Sequence, residues 1–173
     1  MNDSVNTNQP SLQGKTVSAS RTTISQMMHP EHANNLGNVH GGWIMKLVDE
    51  AGALSCMRHA QSRVVTVAVD RMIFRQPIRI TDVVTLTAEV SYVGRTSMEA
   101  EVHVIAENPI TGECTYTNDA YVVYVALDED GKPRPVPPLI PETDAQRRRL
   151  EAGKARQIYR VEQSRLSEQN MGK

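Results

Sequence analysis

Between Gly41 and Ala60, apolar residues recur at Ile44, Leu47, Val48, Ala51 and Leu54. Spacings of three and four gather these positions on one side of a helix. The pattern predicts a helix that starts near Gly41 or Gly42 and ends near His59 or Ala60. Asp49 stands off the stripe, about 140° round the wheel from Ile44, on a flank shared with Met45, Gly52 and Cys56. That flank is small and apolar, so the carboxylate is expected to face a crevice or a second protein surface. The plainer alternative is an exposed Asp beside Lys46 and Glu50.

Elsewhere the period is two. Val84, Leu86, Ala88, Val90 and Tyr92 alternate with Thr85, Thr87, Glu89 and Ser91, and Met98 to Ala106 repeats the pattern after a turn at Gly94-Arg95-Thr96. Asn108 to Gly112 is a second turn, and Glu113 to Leu127 is a long final strand whose centre, AYVVYVAL, is apolar on both faces. Val64 to Val69 is also continuously apolar, which predicts a strand covered on both sides. Thr16 to Ser25 reads as a further strand, at an edge of the sheet. These elements define an α+β class, one long helix against a mainly antiparallel sheet. A single helix cannot cover all the apolar positions, so a second subunit related by a two-fold axis is expected to supply the rest.

The ends differ from this middle. Residues 1–15 are rich in Asn, Ser, Thr and Gln and are expected to form a disordered leader. The folded domain is expected to span residues 16–141, closing with Pro133, Pro135, Pro137, Pro138 and Pro141 in an extended segment. Residues 142–173 form a basic tail of helix formers. Its Leu150, Ile158, Val161 and Leu166 are too sparse for an independently buried helix.

A formal net charge of −1 over 173 residues argues against a nucleic-acid grip driven by overall charge. No apolar run is long enough to span a membrane, and the first residues lack a secretory pattern, so the expected location is the cytoplasm. Cys56 and Cys114 read as reduced thiols, and no spacing of His and Cys suggests a metal; neither a metal nor a cofactor is expected.

The densest polar signal is the loop Asn34-Asn35-Leu36-Gly37-Asn38-Val39-His40-Gly41-Gly42-Trp43, which feeds the helix. A helix start offers unpaired N–H groups to a polarised carbonyl or an anion. The glycines match neither GxxxxGK[ST] nor GxGxxG. No GxSxG nucleophile elbow is present, and Cys56 has no identified activating His.

Residues 34–52, NNLGNVHGGWIMKLVDEAG, closely resemble the signature of the hot-dog-fold acyl-CoA thioesterases, especially the cytosolic acyl-CoA hydrolase branch. Val93 to Glu99, Thr111-Gly112-Glu113, the closing strand and the basic tail extend the resemblance over residues 16–160. It implies a long helix wrapped by an antiparallel sheet, paired subunits assembling into a homohexamer, and hydrolysis of acyl-CoA to fatty acid and CoA. It also implies catalytic Asp49 and Asn34, with Gly42 as backbone donor to the thioester carbonyl. His40 either helps position the thioester or satisfies backbone groups. CoA recognition is expected at Arg95, Thr96 and Ser97, with Arg71 a further candidate and Arg147 to Arg149 less favoured.

A thiolate leaves without strong protonation, so a carboxylate activating water, an amide orienting it and one or two N–H donors suffice for hydrolysis. Carboxylate attack through a mixed anhydride is the alternative route. A hot-dog dehydratase and a non-catalytic acyl-CoA-binding module are the competing functions. Gly42 and Asp49 lie about 10 Å apart along one helix, too far to act on one carbonyl. The expected site therefore takes Asp49 from one chain and Asn34 and Gly42 from its partner.

Overall fold

The computed structural model describes residues 12–171. In chain order the elements are β1 (Lys15–Thr16), α1 (Val17–Ser20), β2 (Thr22–Met27), a 3-10 turn (Pro30–His32), α2 (Gly41–Ala60), β3 (Arg63–Phe74), β4 (Val83–Val93), β5 (Ser97–Glu107), β6 (Cys114–Leu127), β7 (Leu139–Ile140) and α3 (Asp144–Met171). Five strands form one sheet in the order β2-β4-β5-β6-β3, with every neighbouring pair antiparallel. The sheet wraps α2, which is the hot-dog architecture.

Ile44, Leu47, Val48 and Ala51 of α2 are buried against Val84, Leu86, Ala88 and Val90 of β4 and Met98 to Val104 on the inner face of β5. Each large apolar side chain so buried contributes about 1.5–3 kcal/mol. Leu54, assigned to the same stripe by its spacing, is instead 38 % exposed. Buried Ser55 and Cys56 take up the inner face beside it. The helix stops at Gln61, whose left-handed backbone (φ 50°) sends its N–H back to the Met57 carbonyl at 2.8 Å.

Two strand expectations change. The segment from Thr16 to Ser25 is not one strand: a helical turn, Val17–Ser20, interrupts it. Buried Val17 and Ser20 both face inward there, which strict alternation does not allow, and Arg58 of α2 holds the exit by donating to the Arg21 carbonyl and Thr22 hydroxyl. β3 is not covered on both sides either. It is the sheet's edge, and Val65, Val67 and Val69 remain about half exposed. Two bulges, between Thr66 and Ala68 and between Val69 and Arg71, add local twist to this edge.

The expected leader falls mostly outside the described residues, and its last residue, Lys15, begins β1 in parallel pairing with β7. Nearby, Ser18 donates its backbone N–H and hydroxyl to Glu142 at 2.8 and 2.6 Å. His59, fully buried at the end of α2, holds the proline segment by its ring Nε2 to the Pro137 carbonyl at 2.9 Å. Among the described residues, no helix is long and apolar enough to cross a membrane.

Candidate active site

Asp49 sits where α2 passes the junction of β3 and β6. Its carboxylate oxygen Oδ1 accepts the Thr66 hydroxyl at 2.6 Å and the Tyr124 hydroxyl at 3.3 Å. Tyr124 also donates to the Asp49 backbone carbonyl at 2.9 Å. Burial, and after it the negative charge of Asp49, push the Tyr124 phenol well above its usual range, so it stays protonated as a donor. Gly52 makes this approach possible: a Cβ there would lie 2.5 Å from the Tyr124 hydroxyl. The result is a half-buried carboxylate with one oxygen held and the other without a partner among the described residues.

The loop before α2 is closed by a bridge between Ala33 and Val39, with Gly37 in the left-handed region (φ 81°). Asn34 ties this turn together. Its Oδ1 accepts the backbone N–H groups of Leu36 at 2.8 Å and Asn38 at 3.2 Å, and its own N–H donates to the Asn38 carbonyl at 2.7 Å. With the acceptor oxygen so engaged, the side-chain NH₂ is the part of Asn34 left to meet a ligand. His32, buried, stacks on Trp43 with ring centroids 4.1 Å apart, which fixes the loop to the first turn of the helix.

His40 is the N-cap of α2: its Nδ1 accepts the Gly42 N–H at 2.9 Å. The ring is exposed, so the bond can be exchanged for another acceptor. Gly41 leaves its own N–H without a partner among the described residues.

Arg95 and Thr96 occupy the β4–β5 turn with Ser97 opening β5. The carbonyls of Arg95 and Thr96 accept N–H groups of Val136 and Ala126, so the backbone is anchored while the Arg95 side chain is exposed. Arg71 is elsewhere. It aligns with Tyr121 on β6 whereas Ser97 aligns with Val125, about 13 Å farther along that strand. Arg147 pairs with Asp144, and Arg149 pairs with Glu89 and Glu101. Among the described residues of one chain, Asn34 and Asp49 share no hydrogen-bond partner.

No local sequence pattern singles out Thr66 or Tyr124. Thr66 lay inside a valine run and Tyr124 inside an apolar strand centre, and only strand register brings the two side by side opposite Asp49. Cys56 is fully buried, and burial pushes its thiol far above the range in which it would act as a nucleophile.

An open antiparallel sheet wrapped around a central helix, with an off-core carboxylate facing the edge strand, defines the hot-dog class. Residues 36–113 match the model of the thioesterase superfamily. The chain is 37% identical over 145 residues to the cytosolic acyl coenzyme A thioester hydrolase of Mus musculus, covering 83% of this chain but 38% of that protein. It therefore spans well under half the length of that mammalian relative. With an acyl-CoA thioester hydrolase of Bacillus subtilis, itself uncharacterised, identity is 37% over 72% of this chain and 73% of the other. An apo-hexameric acyl-CoA thioesterase superposes with a TM-score of 0.84 at 38% identity, covering 88% of this chain and 98% of that one. An acyl-CoA hydrolase from Staphylococcus aureus, solved with butyryl coenzyme A, coenzyme A and coenzyme A disulfide, gives a TM-score of 0.83 at 30% identity, covering 91% of this chain and 96% of that one. Its structures include variants in which an Asp, an Asn or a Thr is replaced by alanine. The chain belongs to the hot-dog acyl-CoA thioesterase family.

Proposed function

We propose that the protein hydrolyses acyl-CoA thioesters to free fatty acid and CoA, with Asp49 as the general base. The observation that carries this reading is the split environment of its carboxylate. Thr66 and Tyr124 hold Oδ1, which leaves Oδ2 to take a proton from water. The substituted Asn and Asp of the Staphylococcus aureus enzyme are separated by the same number of residues as Asn34 and Asp49. Its Asp and Thr are separated as Asp49 and Thr66 are, which supports giving all three positions a part.

Asn34 acts as a donor through its NH₂ group, since its oxygen serves the loop. It orients the attacking water or the thioester carbonyl. Gly42 supplies the second donor to that carbonyl, and the incoming oxygen replaces His40 Nδ1 as acceptor. Negative charge developing on the carbonyl oxygen strengthens both bonds in the transition state, and the CoA thiolate departs as the tetrahedral intermediate collapses. Arg95, Thr96 and Ser97 receive the nucleotide or pantetheine portion of CoA.

Because Gly42 and Asp49 lie about 10 Å apart on one helix, the site is completed across a dimer. The free edge of β3 and its half-exposed valines are the surface for that pairing. The hexameric state of related thioesterases supports assembly of such dimers into a homohexamer. The cytosolic mammalian relatives support a cytoplasmic location.

Thiol release from a panel of saturated acyl-CoAs tests the reaction. A saturated, unhydroxylated chain offers nothing to dehydrate, so release by the wild-type oligomer and not by D49A is the expected result. Binding without turnover would place the protein among non-catalytic acyl-CoA-binding modules, and activity confined to hydroxyacyl substrates without thiol release would mark a dehydratase.

A further inference from the structure

Helix α3 crosses the outer face of the sheet diagonally, one strand at a time. Arg149 reaches Glu89 on β4 and Glu101 on β5 at 3.0 and 3.2 Å. Gly153 lies so close that a Cβ would stand 2.6 Å from Tyr92 Cβ and 3.1 Å from Glu99 Oε1. Arg156 grips Glu99 with two bonds, at 3.0 and 2.6 Å, and stacks on Tyr121 of β6. Arg160 bridges Glu99 and Asp70, the latter on the edge strand β3. Tyr159, Gln163 and Ser164 then border an open cavity of about 500 Å³ above Ala68, Asp70 and Arg71 of β3.

The sheet ends at β3, but α3 does not. Seven residues follow Ser164 before the helix ends at Met171, an overhang of about 10 Å. Strands lie about 4.8 Å apart, so even on a diagonal course the overhang reaches across the width of at least about one further strand. Tyr159, Gln163 and Leu166 recur at i, i+4 and i+7 along one flank of the helix; Tyr159 and Gln163 border this cavity, and Leu166 borders the adjoining groove beside Ile158 and Val161. Tyr159 is 63 % and Leu166 48 % exposed.

We infer that this flank clasps the same flank of a second copy of the chain across the β3 edge. The inference rests on the dimer proposed above. A two-fold axis at that edge sets the two helices antiparallel over the seam, with Tyr159 of each opposite Leu166 of the other, and each helix fills the cavity beside its neighbour. The occupant is a second copy because the flank hangs beyond an edge strand whose outer side has no strand partner among the described residues and which leaves Val65, Val67 and Val69 half exposed, and because antiparallel pairing makes the flank complementary to itself.

A photo-crosslinking benzophenone amino acid at position 166, in differently tagged subunits, tests the contact directly. Crosslinks between chains, mapped to the α3 helix of the partner, are expected. Native mass spectrometry of the same sample separates the two readings. A dimer with no inter-chain crosslink overturns the clasp alone, and a monomer overturns both the clasp and the dimer. A second arm uses the Y159E/L166E variant, both positions being exposed enough to leave the fold intact by circular dichroism. Its dimer dissociation concentration is expected to rise about tenfold; a change of less than about twofold would contradict the clasp.

Discussion

The two faces of the sheet treat charge in opposite ways. On the outer face Glu99 is fully buried, yet each of its oxygens is engaged, by Arg156, Arg160 and Ser91. Glu89 is paired with Arg21 and Arg149, and Glu101 with Arg149 and Tyr121. On the inner side Asp49 is only half buried, and one of its oxygens has no partner among the described residues. A carboxylate whose bonds are all taken up by the fold can hold a helix in place but has no free lone pair for chemistry. One left half-satisfied at an open edge is suited to accept a proton from a ligand.

The largest effect that sharpens this contrast is expected on the inner side. D49A should lower kcat about 10³-fold, within the usual range for a general base, while its thermal unfolding midpoint moves by only a few degrees. Near-normal turnover would erase the distinction between the two faces.

On the outer face the pattern should invert. E99A is expected to cost about 3 kcal/mol in denaturant unfolding, since it leaves Arg156 without its carboxylate. Its turnover per folded molecule should change little. Burial raises the Glu99 carboxyl pKa, but hydrogen bonds from Arg156, Ser91 and Arg160 more than offset this and hold it below the usual value of 4.5. A depressed folded value means that this stabilisation is complete above the unfolded value and is lost as pH falls through the folded one. Stability of the wild type should therefore decline with acid below about pH 4.5, and E99Q should show a shallower decline.

A smaller effect is expected at Thr66. T66V removes one donor to Asp49 and should reduce kcat about tenfold with KM nearly unchanged, measured by thiol release. Smallest is R95A, which should raise KM about threefold for several acyl-CoAs alike, because an exposed arginine contacting their shared portion contributes modestly. A change in chain-length selectivity at constant CoA affinity would move Arg95 to another part of the site.

The same contrast governs what the residues reveal before folding. Helix α2 is legible because its core-facing side is built from Ile44, Leu47, Val48 and Ala51, whose spacing is itself the signal. The sheet strands β4 and β5 are legible by alternation for the same reason. Helix α3 docks by arginines, one close-packed glycine, Gly153, and a single leucine, Leu150, packed against the core, and arginines spaced along a helix look identical whether solvated or paired with buried glutamates on distant strands. Asp49, Asn34 and Gly42 stand in one contiguous motif and could be picked out as candidates. Thr66 and Tyr124 are contributed by strands whose register no local pattern encodes, and the engagement of Asn34 Oδ1 depends on the turn geometry of Leu36 and Asn38.

The central claim is that Asp49 of one chain works with Asn34 and Gly42 of the other. Mixing inactive D49A and N34A proteins under conditions of subunit exchange tests it most directly. In a mixed dimer one site collects both defects and the other is intact, so recovery of up to half the wild-type activity per mixed dimer is the predicted result. No recovery, with exchange demonstrated by native mass measurement of differently tagged subunits, would contradict the shared site and assign a complete site to each chain.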